Sequence, residues 1–437
     1  MIEAANFLEF FCESCPDEVP ELRRYAAEGR LEAVPLRSIL YTQLPSGETL
    51  IRNCLRGRQI VLDKLGVCGS IATLSDIPGV TPQLPQIAAK CGFAGVFLSH
   101  GTPPHIDCVE YEAPDGTVIP AYAPIHYGRT RRLFADAEDY ETMCANEAPA
   151  DLLDYWKNEY AKLNKEVPPE FKLMKSGATA AHLRYKLTCR NFGDTPTYAS
   201  ITIPKGKGPF PMIFTVPPAG NYGYGFFSTP KTIHVTITVF DRLFPTNDDY
   251  MKFNRPVWYF HQGAQKRETY YYYKAILGMM RVMDYAMTQI KEWDGKHLMA
   301  IGRSQGGGSA IIMAALNPKI QALAADVPAL CDHNARLNGR RPGWPQILDQ
   351  KTTAKSFATD AEYFDAANFA SFVKCPAVLS VGFYDTMCEP SSVYSAYNNL
   401  KGPKKMIHCP RYGHGWGKRD TAFDNEVIKI RSETFMK

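Results

Sequence analysis

The residues best suited to chemistry are Gly302-Arg303-Ser304-Gln305-Gly306. A strand-like apolar run, LMAI (298–301), precedes them, and a helix-compatible stretch follows from about Gly307. Glycine two residues to either side of a serine removes Cβ atoms where such a turn is tightest. The serine can then sit in strained backbone with its hydroxyl exposed. A helix starting there also points its positive dipole end at any oxyanion that develops nearby. A serine hydroxyl is a weak nucleophile. It needs a base, and the base needs an acid to orient it.

Three histidines follow Ser304: His333, His408 and His414. His408 lies inside the apolar run MIHC (406–409), the setting of a packed or edge-strand residue. His333 follows Asp332 in CDHN (331–334) and reads as structural. His414 stands in the glycine-flanked loop RYGHGWG (411–417), after the last strand-like run, and is the expected base. For the acid, Asp385 follows the run AVLSVG (377–382), at the strand end where open parallel sheets gather functional loops. Asp326 and Asp332 compete, but each could as easily cap a turn. The oxyanion calls for two N–H groups. One is expected from Gln305 and the other from Pro217-Pro218-Ala219-Gly220, after the run PMIFTV (211–216). Proline has no N–H, which leaves Ala219 or Gly220 as the second donor.

These residues must be held by an alternating pattern. Leu183–Arg190 and Tyr198–Ile203 read as strands around the turn FGDTP, and PMIFTV and Ile233–Phe240 as buried strands. A helix is expected from about Tyr270 to Trp293, with the four tyrosines Tyr270 to Tyr273 covering a sheet edge. HLMAIG, CPAVLSVG (375–382) and KKMIHCP (404–410) are further strands, with a helix through SAIIMAALNP. The alternation predicts an α/β-hydrolase, with a doubly wound, mostly parallel sheet. The polar stretch 146–175 contains a helix ended by Pro168-Pro169, and a domain boundary is expected near 150, giving segments 1–150 and 151–437.

With 437 residues, the chain exceeds the size at which one core stops growing. A formal charge of +4 and the lack of a long Lys/Arg run argue against nucleic acid and anionic membrane as partners. The opening MIEAANFLEFFCESC has no basic region, and no long apolar stretch follows, so neither a signal peptide nor a membrane span is expected. Twelve scattered cysteines suit free thiols in a reducing cytoplasm. The Cys12/Cys15 pair reads as two buried thiols beside a helix.

GRSQGGGSA (302–310), DVPALCDH (326–333), VGFYDTMCEPSSVYSAYN (381–398) and RYGHGWG together resemble the acetyl xylan esterase / cephalosporin C deacetylase family over about residues 170–435. The resemblance implies deacetylation of acetylated sugars or xylo-oligosaccharides through Ser304, His414 and Asp385, with no metal or organic cofactor. It also implies homo-oligomers with enclosed active sites. Two departures bear on substrate and oligomer contacts. The family's Arg-Gly-Gln is absent after IHVTITVFDR (233–242), and its Gly-His-Glu is here Gly413-His414-Gly415.

The front of the chain carries a second resemblance, over about residues 15–130, to the catalytic domain of family 38 glycoside hydrolases, the α-mannosidases. It is clearest in LPSGETLIRN (44–53) and in the block Asp76 to Gln86. It implies a partial β/α-barrel-like segment, and in that family the aspartate at the Asp76 position is nucleophile and zinc ligand. The family's early His-x-Asp has no counterpart, and none of His100, His105 and His126 can be placed on its distal ligand. Asp76 also fits a plain turn in DIPG. The segment therefore reads as a catalytically inactive remnant or fusion product. The functions in contention are a serine carbohydrate esterase, a zinc α-mannosidase-type hydrolase, an inert carbohydrate-binding scaffold, and a peptidase or lipase on the same fold.

Overall fold

In the computed structural model, the described residues are 2, 4–74, 79–98, 108–122, 140, 147–221, 225–338, 340–349, 353–383, 385–409, 413–414 and 422–435. They form two compact units, Met1–Ala135 and Asp136–Lys437.

The first unit begins with helices α1 (Ala5–Ser14), α2 (Val19–Ala27) and α3 (Gly47–Leu65). Ser46 caps α3, its hydroxyl accepting from the Thr49 N–H at 3.3 Å, and Gly66 ends it with a left-handed φ of 78°. Strand β1 (Ile71–Leu74), helix α4 (Leu84–Lys90) and strand β2 (Gly95–Leu98) then make a parallel β-α-β crossover. Strands β3 (Cys108–Glu112) and β4 (Val118–Tyr122) form an antiparallel hairpin, and the sheet order is β1-β2-β4-β3. Leu50, Cys54, Leu74, Ile87, Val96 and Leu98 share its core. Asp76, His100, His105 and His126 lie outside the described residues. Cys12 is buried but Cys15 is exposed, correcting the expected pair of buried thiols, because Cys15 follows the last turn of α1, beyond its packed stripe.

In the second unit, the runs of apolar and β-branched residues become one nine-stranded sheet. Its strands are β5 (Lys172–Ala178), β6 (His182–Arg190), β7 (Pro196–Pro204), β8 (Phe210–Val216), β9 (Ile233–Ile237), β10 (Trp293–Arg303), β11 (Ala322–Asp326), β12 (Ala377–Gly382) and β13 (Lys404–Cys409). The order is β13-β12-β11-β10-β8-β9-β7-β6-β5. The six strands from β13 to β9 run parallel, and β7, β6 and β5 continue antiparallel. The chain leaves β8 toward β9 and leaves β10 toward β11, on opposite sides. A crevice therefore opens at the carboxyl ends of β8 and β10, the usual place for a ligand in such sheets.

Helix α5 (Leu152–Glu166) belongs to this unit, on the side of the boundary near 150 where the expected segment 151–437 puts it. Leu152, Trp156 and Leu163 are buried, and the Trp156 indole donates to the Tyr363 carbonyl at 2.9 Å. Helix α6 spans Tyr271–Gln289, shorter than expected, because the chain bends at Ile290 and Trp293 already starts β10. The tyrosines at its start do not cover a sheet edge. Tyr270, Tyr272 and Tyr273 are buried in an aromatic cluster with Tyr259, Phe357 and Phe364. Among the described residues, no helix is long and apolar enough to cross a membrane.

Burial holds His234 and His333 neutral, pushing each imidazole down to about 4. The unfolded chain takes up these protons near the ordinary histidine pKa of about 6.5, while the fold resists until about 4. Stability contributed above pH ~6.5 is therefore lost progressively as pH falls toward 4. Thermal melts over that range should show a falling Tm, with a shallower fall in His234→Gln. An unchanged slope in that variant would assign the acid sensitivity elsewhere.

Candidate active site

Strand β10 ends at Arg303, and helix α7 (Gln305–Leu316) starts one residue later. Ser304 between them has φ 53° and ψ −122°, backbone that a residue with a Cβ adopts only under constraint. The constraint comes from close approach. A Cβ on Gly302 would lie 2.1 Å from the Gly306 carbonyl oxygen, and one on Gly306 would lie 2.0 Å from that of Val216, the last residue of β8. The Ser304 N–H donates to the Asp326 carbonyl at 2.9 Å, and its carbonyl accepts from the N–H groups of Gly308 and Ala329. The serine is thereby fixed among β8, β10 and the loop after β11.

Its hydroxyl lies 2.9 Å from His414 Nε2, and His414 Nδ1 lies 2.8 Å from Asp385 Oδ2. The other carboxylate oxygen of Asp385 accepts from the backbone N–H groups of Met387 and Cys388 at 2.9 and 2.8 Å. Asp385 is 1% exposed, so these contacts fix the side chain that orients the imidazole. The three residues read from the sequence are therefore brought together. The Pro217–Gly220 loop continues directly from β8, and Gly220 has a φ of 85°. Gln305 Nε2 donates to the Pro217 carbonyl at 3.1 Å, tying that loop to the residue after the serine.

The competing residues go elsewhere. His408 Nε2 meets the Tyr394 hydroxyl at 2.7 Å on the edge strand β13. His333 is buried, with its backbone N–H on Asp365. Asp332 pairs with Arg340 at 2.8 Å, and its carboxyl is pushed up by burial and by Asp365. Asp326 pairs with Arg303 at 2.9 Å.

Three features were missed in the sequence. The Gln305 side-chain oxygen accepts from the hydroxyls of Tyr259 and Tyr272, the latter at 2.7 Å. Burial pushes both phenols well above their ordinary range, so they remain protonated donors. Arg303 bonds Asp326 and also donates to the His414 backbone carbonyl at 3.0 Å, while Asp326 accepts from Ser380 Oγ on β12 at 2.5 Å. Cys388 buries its thiol against Ser304, and burial together with the Asp385 charge raises that thiol well above its ordinary range. The YYYY run was the available signal for the first. Nothing in local spacing marks the other two.

A nucleophile elbow, a base and a buried acid at the carboxyl edge of a doubly wound sheet define a serine hydrolase of the α/β-hydrolase fold. A family model for acetyl xylan esterase (AXE1) matches residues 137–428, well over half of the chain. The chain belongs to the acetyl xylan esterase family. Residues 1–167, the first unit and the start of the second, are similar to a second model, the N-terminal domain of glycosyl hydrolases family 38. The acetyl esterase Axe7A of Xylanibacter ruminicola is 27% identical over 289 residues, covering 63% of this chain and 65% of that protein. The chain thus spans just under two thirds of that relative's length. The acetyl xylan esterase 1 structure from Thermoanaerobacterium sp. superposes with a TM-score of 0.58 at 21% identity, over 68% of this chain and 98% of that one. An acetyl xylan esterase from Paenibacillus sp. R4 gives 0.55 at 22%, over 69% and 99%. At these identities the two structures establish the fold alone.

Arg303 holds the histidine loop by its carbonyl, so Arg303→Met should free His414 without touching the hydroxyl. Loss of alignment at this scale costs on the order of 10–100-fold in kcat with KM little changed. Because the substitution strands the Asp326 carboxylate, the double variant Arg303→Met/Asp326→Asn is the control that restores stability. A wild-type kcat in the double variant would show that the arginine does not position the base.

Proposed function

We propose that the second unit is a serine carbohydrate esterase that removes acetyl groups from acetylated sugars, with acetylated xylo-oligosaccharides as the substrate class. The observation that carries the proposal is the unbroken relay from Ser304 Oγ through His414 to the buried Asp385. The family match supports the choice of ester.

As the Ser304 oxygen attacks the acetyl carbonyl, its proton passes to His414 Nε2. Asp385 accepts from Nδ1, fixes the tautomer and stabilises the imidazolium. The carbonyl oxygen becomes an oxyanion, met by the Gln305 N–H at the helix start and by an N–H from Ala219 or Gly220. Collapse breaks the ester bond to the sugar, whose oxygen takes the proton back from His414. Water, deprotonated by the same imidazole, then attacks the acetyl-serine and releases acetate. Every proton movement in this cycle is handled by protein side chains. Residues for a zinc-based glycosidase in the first unit lie outside the described ones, and no step is assigned to them. The ten cysteines whose side chains are described are free thiols, which supports a reducing, cytoplasmic setting.

Hydrolysis of p-nitrophenyl acetate and release of acetate from acetylated xylo-oligosaccharides should both fall by about 10⁴-fold or more in Ser304→Ala. A chelator should not lower either rate. A folded wild-type protein that turns over neither ester would overturn the proposal. Activity on the nitrophenyl ester alone would leave the esterase in place and remove the sugar assignment.

A further inference from the structure

Cys388 takes no part in the cycle above, yet its thiol lies inside the catalytic constellation. Its sulfur, a carboxylate oxygen of Asp385 and a ring nitrogen of His414 all lie within 4.8 Å of one another. Asp385 and Cys388 are fully buried, so these are converging groups and not an exposed acidic patch. Thiolate, imidazole and carboxylate are the donors that zinc-like cations select. Around one tetrahedral zinc such atoms sit about 3.3–3.7 Å apart, so the group must contract by up to about 1.5 Å. A water molecule would complete a three-ligand set.

The geometry points to an inhibitory site for a thiophilic divalent cation, Zn²⁺ or Cd²⁺, formed by Cys388, His414 and Asp385. On binding, the Cys388 S–H bond breaks, its proton leaves to solvent, and the sulfur binds the metal as thiolate. Bound through Nε2, the imidazole has no lone pair left for the Ser304 proton; bound through Nδ1, it carries its displaced proton on Nε2 and again cannot accept one. Ester hydrolysis stops, with no change in any oxidation state. Removing the cation reprotonates the thiol and restores the relay.

The activity readout rests on the esterase reading, so the test has a second arm that does not. In the first arm, p-nitrophenyl acetate hydrolysis is titrated with Zn²⁺ and with Cd²⁺ in the wild type, Cys388→Ala and Cys388→Ser. Wild-type activity should be inhibited and recovered with a chelator. Measured against each variant's own metal-free rate, the two variants should need at least about tenfold more metal for the same fractional inhibition. Equal sensitivity in the wild type and both variants overturns the proposal. In the second arm, Cd²⁺ is added to Ser304→Ala, which retains all three ligands, and the ultraviolet cadmium–thiolate charge-transfer band is recorded against Ser304→Ala/Cys388→Ala. A larger band in the single variant supports the site even if the wild type shows no turnover. Identical bands overturn it.

Discussion

The site depends on holding Ser304 in backbone that it would not choose. Its φ of 53° costs on the order of 1–3 kcal/mol for a residue with a side chain. Such a cost is tolerated only where neighbours over-determine the conformation, and here three do. The Asp326 carbonyl takes the serine N–H, Gly308 and Ala329 donate to its carbonyl, and the Gly306 backbone lies against the end of β8. These contacts come from β8, β11 and α7, which are adjacent because of the sheet order. The doubly wound topology therefore presents the serine and also makes its strained conformation the lowest one available.

The second requirement is electrostatic. A buried carboxylate is tolerable only when its oxygens are satisfied. Asp385 meets this with two backbone N–H donors on one oxygen and the imidazole on the other. A parallel arrangement surrounds it. Ser380 on β12, Asp326 on β11 and Arg303 on β10 form a chain that ends on the His414 carbonyl. Glycine follows His414, in place of the glutamate that the resemblance to the family implies. A carboxylate beside the base is one means of holding its loop, and a guanidinium clamped by a buried aspartate is another. The described contacts are of the second kind.

The sequence disclosed what depends on order and local pattern. Ser304, Asp385 and His414 each follow a recognisable strand, and the apolar runs predict β6 to β10, β12 and β13 within a few residues, while β11 (Ala322–Asp326) is not among the runs read as strands. What it concealed depends on contacts between distant segments. The four tyrosines read as cover for a sheet edge, because four bulky polar-tipped residues in a row carry no helical period. The Tyr272 hydroxyl, with that of Tyr259, meets the Gln305 side chain 33 and 46 residues further on, while Tyr270 bonds the Phe260 carbonyl and Tyr273 bonds Glu159. The packing of α5 was likewise invisible, since Trp156 finds its hydrogen-bond acceptor 207 residues away. In the first unit, the family 38 resemblance is clearest in residues 44–53 and in the block from Asp76 to Gln86, and Asp76 itself lies outside the described residues.

Two nucleophiles stand side by side here, and their physical settings determine which one acts. Sulfur is intrinsically the better nucleophile, but only as thiolate. Burial and the neighbouring Asp385 charge raise the Cys388 thiol well above its ordinary value, so its thiolate is disfavoured. The serine needs no ionised ground state, because His414 Nε2 lies 2.9 Å from its oxygen and takes the proton during attack. The same Asp385 thus works in opposite senses on its two neighbours. It stabilises the imidazolium that serine attack creates, and it disfavours the thiolate that would compete with it.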